Sequence, residues 1–234
     1  KIIDMKAVAE QSYDAMEAYM LAQELADKRM EEIQEEYEAN YNAFAESNNI
    51  NIVENETDLS KNMAISNEVF GYYKKMYLIY FKVYINEIYL MDALNSNDVN
   101  AIQQNANALN TSAKEGLEIL KTTTHYKNDK SIAIATKKAF EFFIDETKNK
   151  IPVLTDFLVL SEDLEKTKAT LEKTAERKRT KEQIDSYNAM INKFNKGVKS
   201  YNDTNTALNK KRSVVINGLN TTNQKFLSKH IPND

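Results

Sequence analysis

An all-α fold, an up-and-down bundle of about five long helices in one domain spanning residues 1–234, is what this sequence predicts. Three observations carry that prediction. The chain holds only 4 Gly and 2 Pro in 234 residues, too few to turn a many-stranded sheet, while Ala, Glu, Lys, Gln, Leu and Met supply strong helix formers. From Ile184 to Phe226 an apolar repeat of seven persists. One seam position passes through Ile184, Ile191, Val198, Asn205, Arg212, Leu219 and Phe226, the other through Tyr187, Phe194, Tyr201, Leu208 and Val215, which is the a/d pattern of coiled-coil-like packing. With 42% hydrophobic and 28% charged residues, the chain is neither a disordered polyampholyte nor a membrane protein.

The first helix is expected from Asp4, an N-cap, to Glu46. Its inner stripe would be Val8, Ala15, Tyr19, Ala22, Ala26, Met30, Ile33, Tyr37, Tyr41 and Phe44. Ser47-Asn48-Asn49-Ile50-Asn51 breaks it, and the loop should last to about Asp58. The second helix, Leu59 to Leu94, contains the most apolar run, Met76 to Met91. Its Tyr72, Tyr73, Tyr77, Tyr80, Phe81, Tyr84 and Tyr89 point around the helical wheel, as on a central helix covered on most sides. Lys82, Asn86 and Glu87 interrupt that run, which is shorter than the ~20 residues a bilayer needs. Asn97 or Asp98 should cap a third helix, Val99 to Lys121. Asp129 or Ser131 starts the fourth, kinked near Pro152 and continuing to about Arg179. The fifth runs from Thr180 to Ser228, and Pro232 ends regular structure.

Charge is unevenly spread. Residues 1–60 carry four basic against fifteen acidic side chains, −11, whereas residues 180–234 carry nine against four, +5. With Asn rather than Arg interleaved, the basic end falls short of a phosphate-tracking surface, so nucleic acid is not an expected partner. Zero cysteines exclude a disulfide framework, a thiol nucleophile and a thiolate metal site. The start at Lys1, without Met, signal peptide or spanning segment, suggests a processed N-terminus.

Helical bundles do metal chemistry through inward Glu and Glu-x-x-His pairs. His125 falls in a loop and His230 near the C-terminus, and neither follows a Glu at that spacing. Glu31, Glu32, Glu35, Glu36 and Glu38 lack the bent loop and carbonyls of a calcium site and suit a solvated acidic face. With no phosphate loop or nucleophile elbow, no enzyme, cofactor or metal is expected. The tyrosines suit a core better than a pocket.

The candidate site residues lie on the fifth helix. Asn188, Asn195, Asn202 and Asn209 follow four of the d positions, one per heptad, with Asn205 and Arg212 in the seam itself. Two readings compete for this ladder: its amides bond a neighbouring helix and set register, or they face a groove and bind a polar ligand or another chain. Arg212 must snorkel out or find a carboxylate. The acidic first helix is the expected donor, through Glu35 or Glu36 if the first and fifth helices run parallel, or Asp14 or Glu17 if antiparallel.

Tyr187-Asn188, the spaced Asn residues, Arg212 and the closing Lys225-Phe226-Leu227-Ser228-Lys229-His230-Ile231-Pro232 resemble the end of an uncharacterised family of bacterial surface lipoproteins from spirochaetes and related Gram-negative groups. The resemblance covers about the last fifth of the chain. It implies a helical protein outside the cytoplasm with no assigned activity. Its membrane contact would come only through a lipid anchor on a lipobox cysteine upstream of Lys1. The expected function is thus non-enzymatic, an exported bundle acting on an unidentified protein partner or by self-association. Its rivals are a small polar ligand carrier with a Tyr/Asn-lined groove and a membrane-active, pore-forming bundle. A closed core with an exposed apolar stripe would favour interaction over both.

Overall fold

The helices begin and end where short-range hydrogen bonding can satisfy their orphan groups. In the computed structural model, which describes residues 13–52 and 57–232, the order is α1 (Tyr13–Ser47), α2 (Asp58–Asn95), α3 (Val99–Thr122), α4 (Ser131–Asp145), α5 (Ile151–Lys173) and α6 (Lys181–His230). A π-helical turn, Glu146–Lys150, joins α4 to α5, so the six segments make five helical rods. No strand occurs among the described residues. The expected cap Asp4 and stripe residue Val8 lie outside them.

Two asparagines end helices in the left-handed conformation. Asn49 (φ 55°) and Asn97 (φ 54°) follow α1 and α2, and the next residue's N–H returns to a carbonyl five back, Ile50 to Ala45 at 2.8 Å and Asp98 to Ala93 at 3.2 Å. This pattern satisfies the last carbonyls of each helix. Asp98 then starts α3 by accepting from Asn100 N and Ala101 N, each at 3.0 Å. Thr180 and Gln183 form a reciprocal capping box at the start of α6, Thr180 N–H donating to Gln183 Oε1 at 2.9 Å and Gln183 N–H to Thr180 Oγ1 at 3.3 Å.

The fourth rod is interrupted before Pro152 and is shorter than expected. The interruption before Pro152 is a π-helical turn, in which Ile151 N–H reaches back five residues to Glu146 O while the dihedrals at Asp145, Lys150 and Ile151 stay right-handed helical. Proline has no N–H for the i−4 carbonyl and its ring crowds that carbonyl, and the wider turn accommodates both. The rod also ends at Lys173 rather than Arg179. Thr174 turns extended (φ −93°, ψ 119°), and Arg179 Nε takes up the Leu171 and Thr174 carbonyls at 3.2 and 3.0 Å.

The chain divides into two compact units, Lys1–Phe81 with Lys225–Asp234, and Lys82–Gln224. Helices α2 and α6 contribute to both. In the first unit Tyr72 packs on Phe226 with ring centroids 5.4 Å apart, and Phe226 on His230 at 4.6 Å. Ala15, Ala45, Val69, Met76, Tyr80 and Phe226 are buried there.

In the second unit α3 buries Ile102, Ala106, Leu109, Ala113, Gly116 and Leu120, spaced alternately four and three apart, so they form one face. That face meets Ala139, Phe140 and Phe143 of α4, all fully buried. Gly116 permits the closest approach: a Cβ there would stand 2.5 Å from the Phe140 ring. Gly197 plays the same part between α5 and α6, where Phe157 packs on Phe194 (5.1 Å) and Tyr201 (4.7 Å). Of the seam residues expected of the last helix, Ile184 is exposed, Phe194 and Tyr201 are half-buried, and Leu208, Leu219 and Phe226 are buried. The stretch of α2 from Tyr80 to Ala93 buries Tyr80, Phe81, Val83, Ile85, Glu87, Leu90 and Ala93, residues that surround the helix as a central position requires.

Candidate functional site

The residue that breaks the apolar seam organises the most charged part of the interior. Arg212 projects from α6, its side chain 12% exposed. Its Nε donates to Glu87 Oε1 on α2 and its Nη2 to Glu146 Oε1 at the start of the π turn. Its third nitrogen, Nη1, donates to Asn209 Oδ1 one turn earlier, at 2.5 Å. The expectation that Arg212 finds a carboxylate is met, but on α2 and the π turn rather than at Glu35, Glu36, Asp14 or Glu17.

Both acids are sealed in: Glu87 is 1% exposed and Glu146 0%. Each uses one oxygen on Arg212, and neither Oε2 meets a donor from another residue. Two carboxylates and one guanidinium would leave an uncompensated negative charge in a low-dielectric interior, a cost that protonation removes. Burial, then the neighbouring Glu146 charge, pushes Glu87 up to about 9, against the pull of Arg212. Burial also raises Glu146, which Arg212 and a hydrogen bond from Glu87 draw back down. Burial thus favours one proton on the acid pair, with Arg212 bridging Glu87 and Glu146.

Sequence and local structure explain the placement. Glu146 follows Phe142 and Phe143 on the buried side of α4, and the π turn beginning there is pinned when Asn110 of α3 donates to Thr147 Oγ1 at 2.8 Å. Thr147 in turn donates to Phe143 O at 2.9 Å. One residue away the same helices repeat the pairing at the surface, Lys211 Nζ to Asp145 Oδ2 at 3.1 Å. Hydrogen bonds from Asn149 and Lys211 hold the Asp145 carboxyl below its ordinary value. The consecutive bases Lys211 and Arg212 thus meet the consecutive acids Asp145 and Glu146, one pair wet and one dry.

Glu87 and Glu146 were not singled out from the sequence, where Glu87 stood as an interruption of the Met76–Met91 run and Glu146 fell in the expected kink. The signal was present in the reasoning applied to Arg212. A charge on a helix covered from every side must have a partner.

The other sequence-derived candidates lie apart from this cluster. Asn188, Asn195, Asn202 and Asn209 are exposed and Asn205 is half-buried. Asn209 Nδ2 donates to Asn205 Oδ1 at 3.1 Å within the same helix. Two clefts in the second unit, at Leu117–Lys137 and at Lys166–Ser186, are lined by neither Asn nor Tyr nor the Arg212 cluster. The chemistry of the cluster is accordingly that of an internal clamp joining α2, α6 and the π turn.

Comparison with protein-family models, with curated proteins and with solved structures finds no match.

A run of exposed apolar side chains lies on α1. Every described residue from 24 to 44 is exposed, and Met30, Ile33, Tyr37, Tyr41 and Phe44 are each between 47% and 67% so. At spacings of three and four they share one face of the helix, where Tyr37 and Tyr41 stack at 6.1 Å. The stripe expected to face inward is therefore open over its second half, and among its described residues in the first half Ala15 alone is buried. The Glu31–Glu38 carboxylates occupy the remaining faces of the helix. Among the described residues, no helix is long and apolar enough to cross a membrane.

Proposed function

We propose that this protein is a non-enzymatic interaction module whose docking element is the second half of α1, and that its partner is a basic, apolar-faced helix of another protein. The observation that carries the reading is the exposed stripe Met30, Ile33, Tyr37, Tyr41 and Phe44 on one face of α1. A contiguous exposed apolar face rimmed by one sign of charge is a common mark of a protein interface, and two tyrosines supply large contact area at low entropic cost. The charge selects the partner. A second copy docking α1 on α1 would set Glu31, Glu32, Glu35, Glu36 and Glu38 against their own counterparts, whereas a Lys- or Arg-flanked helix meets opposite charge.

A location outside the cytoplasm goes with this proposal, supported by the resemblance in residues 187–232 to surface lipoproteins; cleavage by protease added to intact cells tests it. The docking itself is tested by titrating the full chain with a Leu/Lys amphipathic helical peptide and with its Leu/Glu counterpart. Saturable binding of the basic peptide, weakened by salt and by the double substitution Ile33→Ser with Tyr37→Ser, is the expected result. Equal binding of both peptides, or no effect of the substitutions, overturns the reading. Concentration-dependent dimers abolished by the same substitutions would replace the foreign partner by a second copy.

A further inference from the structure

The turn between α3 and α4 encloses a cleft of about 270 Å³, a little below the ~300–1,000 Å³ usual for small-ligand pockets. Leu120 and Ala133, both buried, form its floor with the half-exposed Ile134. Three lysines, Lys121, Lys130 and Lys137, stand on its rim with a single carboxylate, Glu118. His125 lines it too, and its Nδ1 is buried without a hydrogen-bond partner.

The three ammonium groups differ in how they are held. Lys121 is bound to Glu118 on its own helix at 2.6 Å, and Lys137 approaches Glu141 at 3.7 Å. Both pairs are exposed, and exposed pairs of this kind are worth so little that an incoming anion can displace them. Lys130 has no carboxylate in reach among the described residues. An apolar trough ending in excess positive charge has two requirements of an occupant: a tail that covers Leu120, Ala133 and Ile134, and one negative headgroup for Lys130 with Lys121 or Lys137 beside it. A cleft of this size suits one alkyl chain rather than two.

The geometry points to a binding site for a free, single-chain amphiphilic carboxylate of medium length. The headgroup accepts charge-assisted hydrogen bonds from Lys130 and its neighbours, and the chain removes the exposed part of Ile134 from water. Rotation of the His125 ring toward the headgroup gives its unpartnered nitrogen an acceptor.

Equilibrium dialysis of the full chain against labelled dodecanoate, below its micelle concentration, tests this, with dodecanol and inorganic phosphate as controls. One saturable site for dodecanoate, with both controls bound at least tenfold more weakly, is expected. Lys130→Glu should weaken binding about tenfold or more, the equivalent of one charge-assisted hydrogen bond, and Ile134→Glu should do the same through the tail. Both residues are exposed, so unchanged helical circular dichroism and melting will show that the fold survives. Dodecanol binding as tightly as dodecanoate, or either variant binding like the parent, overturns the proposal. So does a protein that ignores dodecanoate and binds only vesicles containing phosphatidylglycerol, because the lysines would then serve a membrane surface.

Discussion

The raised Glu87 carboxyl lets two acids and one base share a dry interior, and stability should register its deprotonation. Its folded-state value lies above the unfolded one near 4.5, at about 9, so the native state binds the extra proton between those limits. Stability from this group is complete below pH 4.5 and declines as pH rises toward 9. Glu87→Gln keeps the neutral shape and still accepts from Arg212. It should flatten the dependence of the urea midpoint on pH between 5 and 9, with the variant gaining on the parent at the alkaline end. A parent curve that rises with pH over this window would refute the shared proton. Arg212→Met leaves the acids without their cation and should cost about 3–5 kcal/mol, measured at pH 7. The cost should shrink toward pH 5 as the second acid protonates.

Among the helices, glycine distinguishes contact from exposure. Gly116 faces the Phe140 ring, where an added Cβ would be only 2.5 Å away, while nothing lies within 4 Å of a Cβ at Gly218. Gly218→Ala should therefore stabilise by about 0.5–1 kcal/mol through helix propensity. Gly116→Ala, with the same propensity gain, should lose about 1–3 kcal/mol to overpacking, since Phe140 is fully buried and cannot yield. Thermal melts of the pair give the sign of each. Phe194→Ala should cost about 2 kcal/mol, less than the ~3–5 of a fully buried ring, because Phe194 is half-buried against Phe157. Asn202 is exposed, so Asn202→Ala should stay within about 0.5 kcal/mol of the parent. A larger loss would mean that the Asn ladder is internally bonded after all.

At the scale of the whole molecule, burial is distributed unequally along the chain, and local stability should follow it. The face of α3 against α4 is buried along its length, whereas α1 is exposed from residue 24 to 44. Amide hydrogen exchange should therefore be fastest, among the helices, over that stretch of α1 and slowest over Ile102–Leu120 and Ala139–Phe143. Binding of a basic amphipathic peptide should slow exchange in α1 and leave α3 and α4 unchanged. Uniform protection along α1 in the free protein would mean that its apolar stripe is already covered.

Helix content, rod number and most boundaries were determined by local chemistry that the sequence displays: scarce Gly and Pro, Asn and Asp at the breaks, a capping box at Thr180 and the seven-residue repeat of the last helix. Leu208, Leu219 and Phe226 of that repeat are buried, and Arg212 does take up carboxylates. Tertiary structure alone decided which ones. Periodicity tells which side of a helix is buried but not what lies opposite, so Glu87 and Glu146, 125 and 66 residues from Arg212, could not be told from the acids of α1. For the same reason the stripe of α1 could not be told from core. An amphipathic helix has the same pattern whether its apolar face meets its own fold or waits for another surface, and only the packing of the remaining helices distinguishes the two.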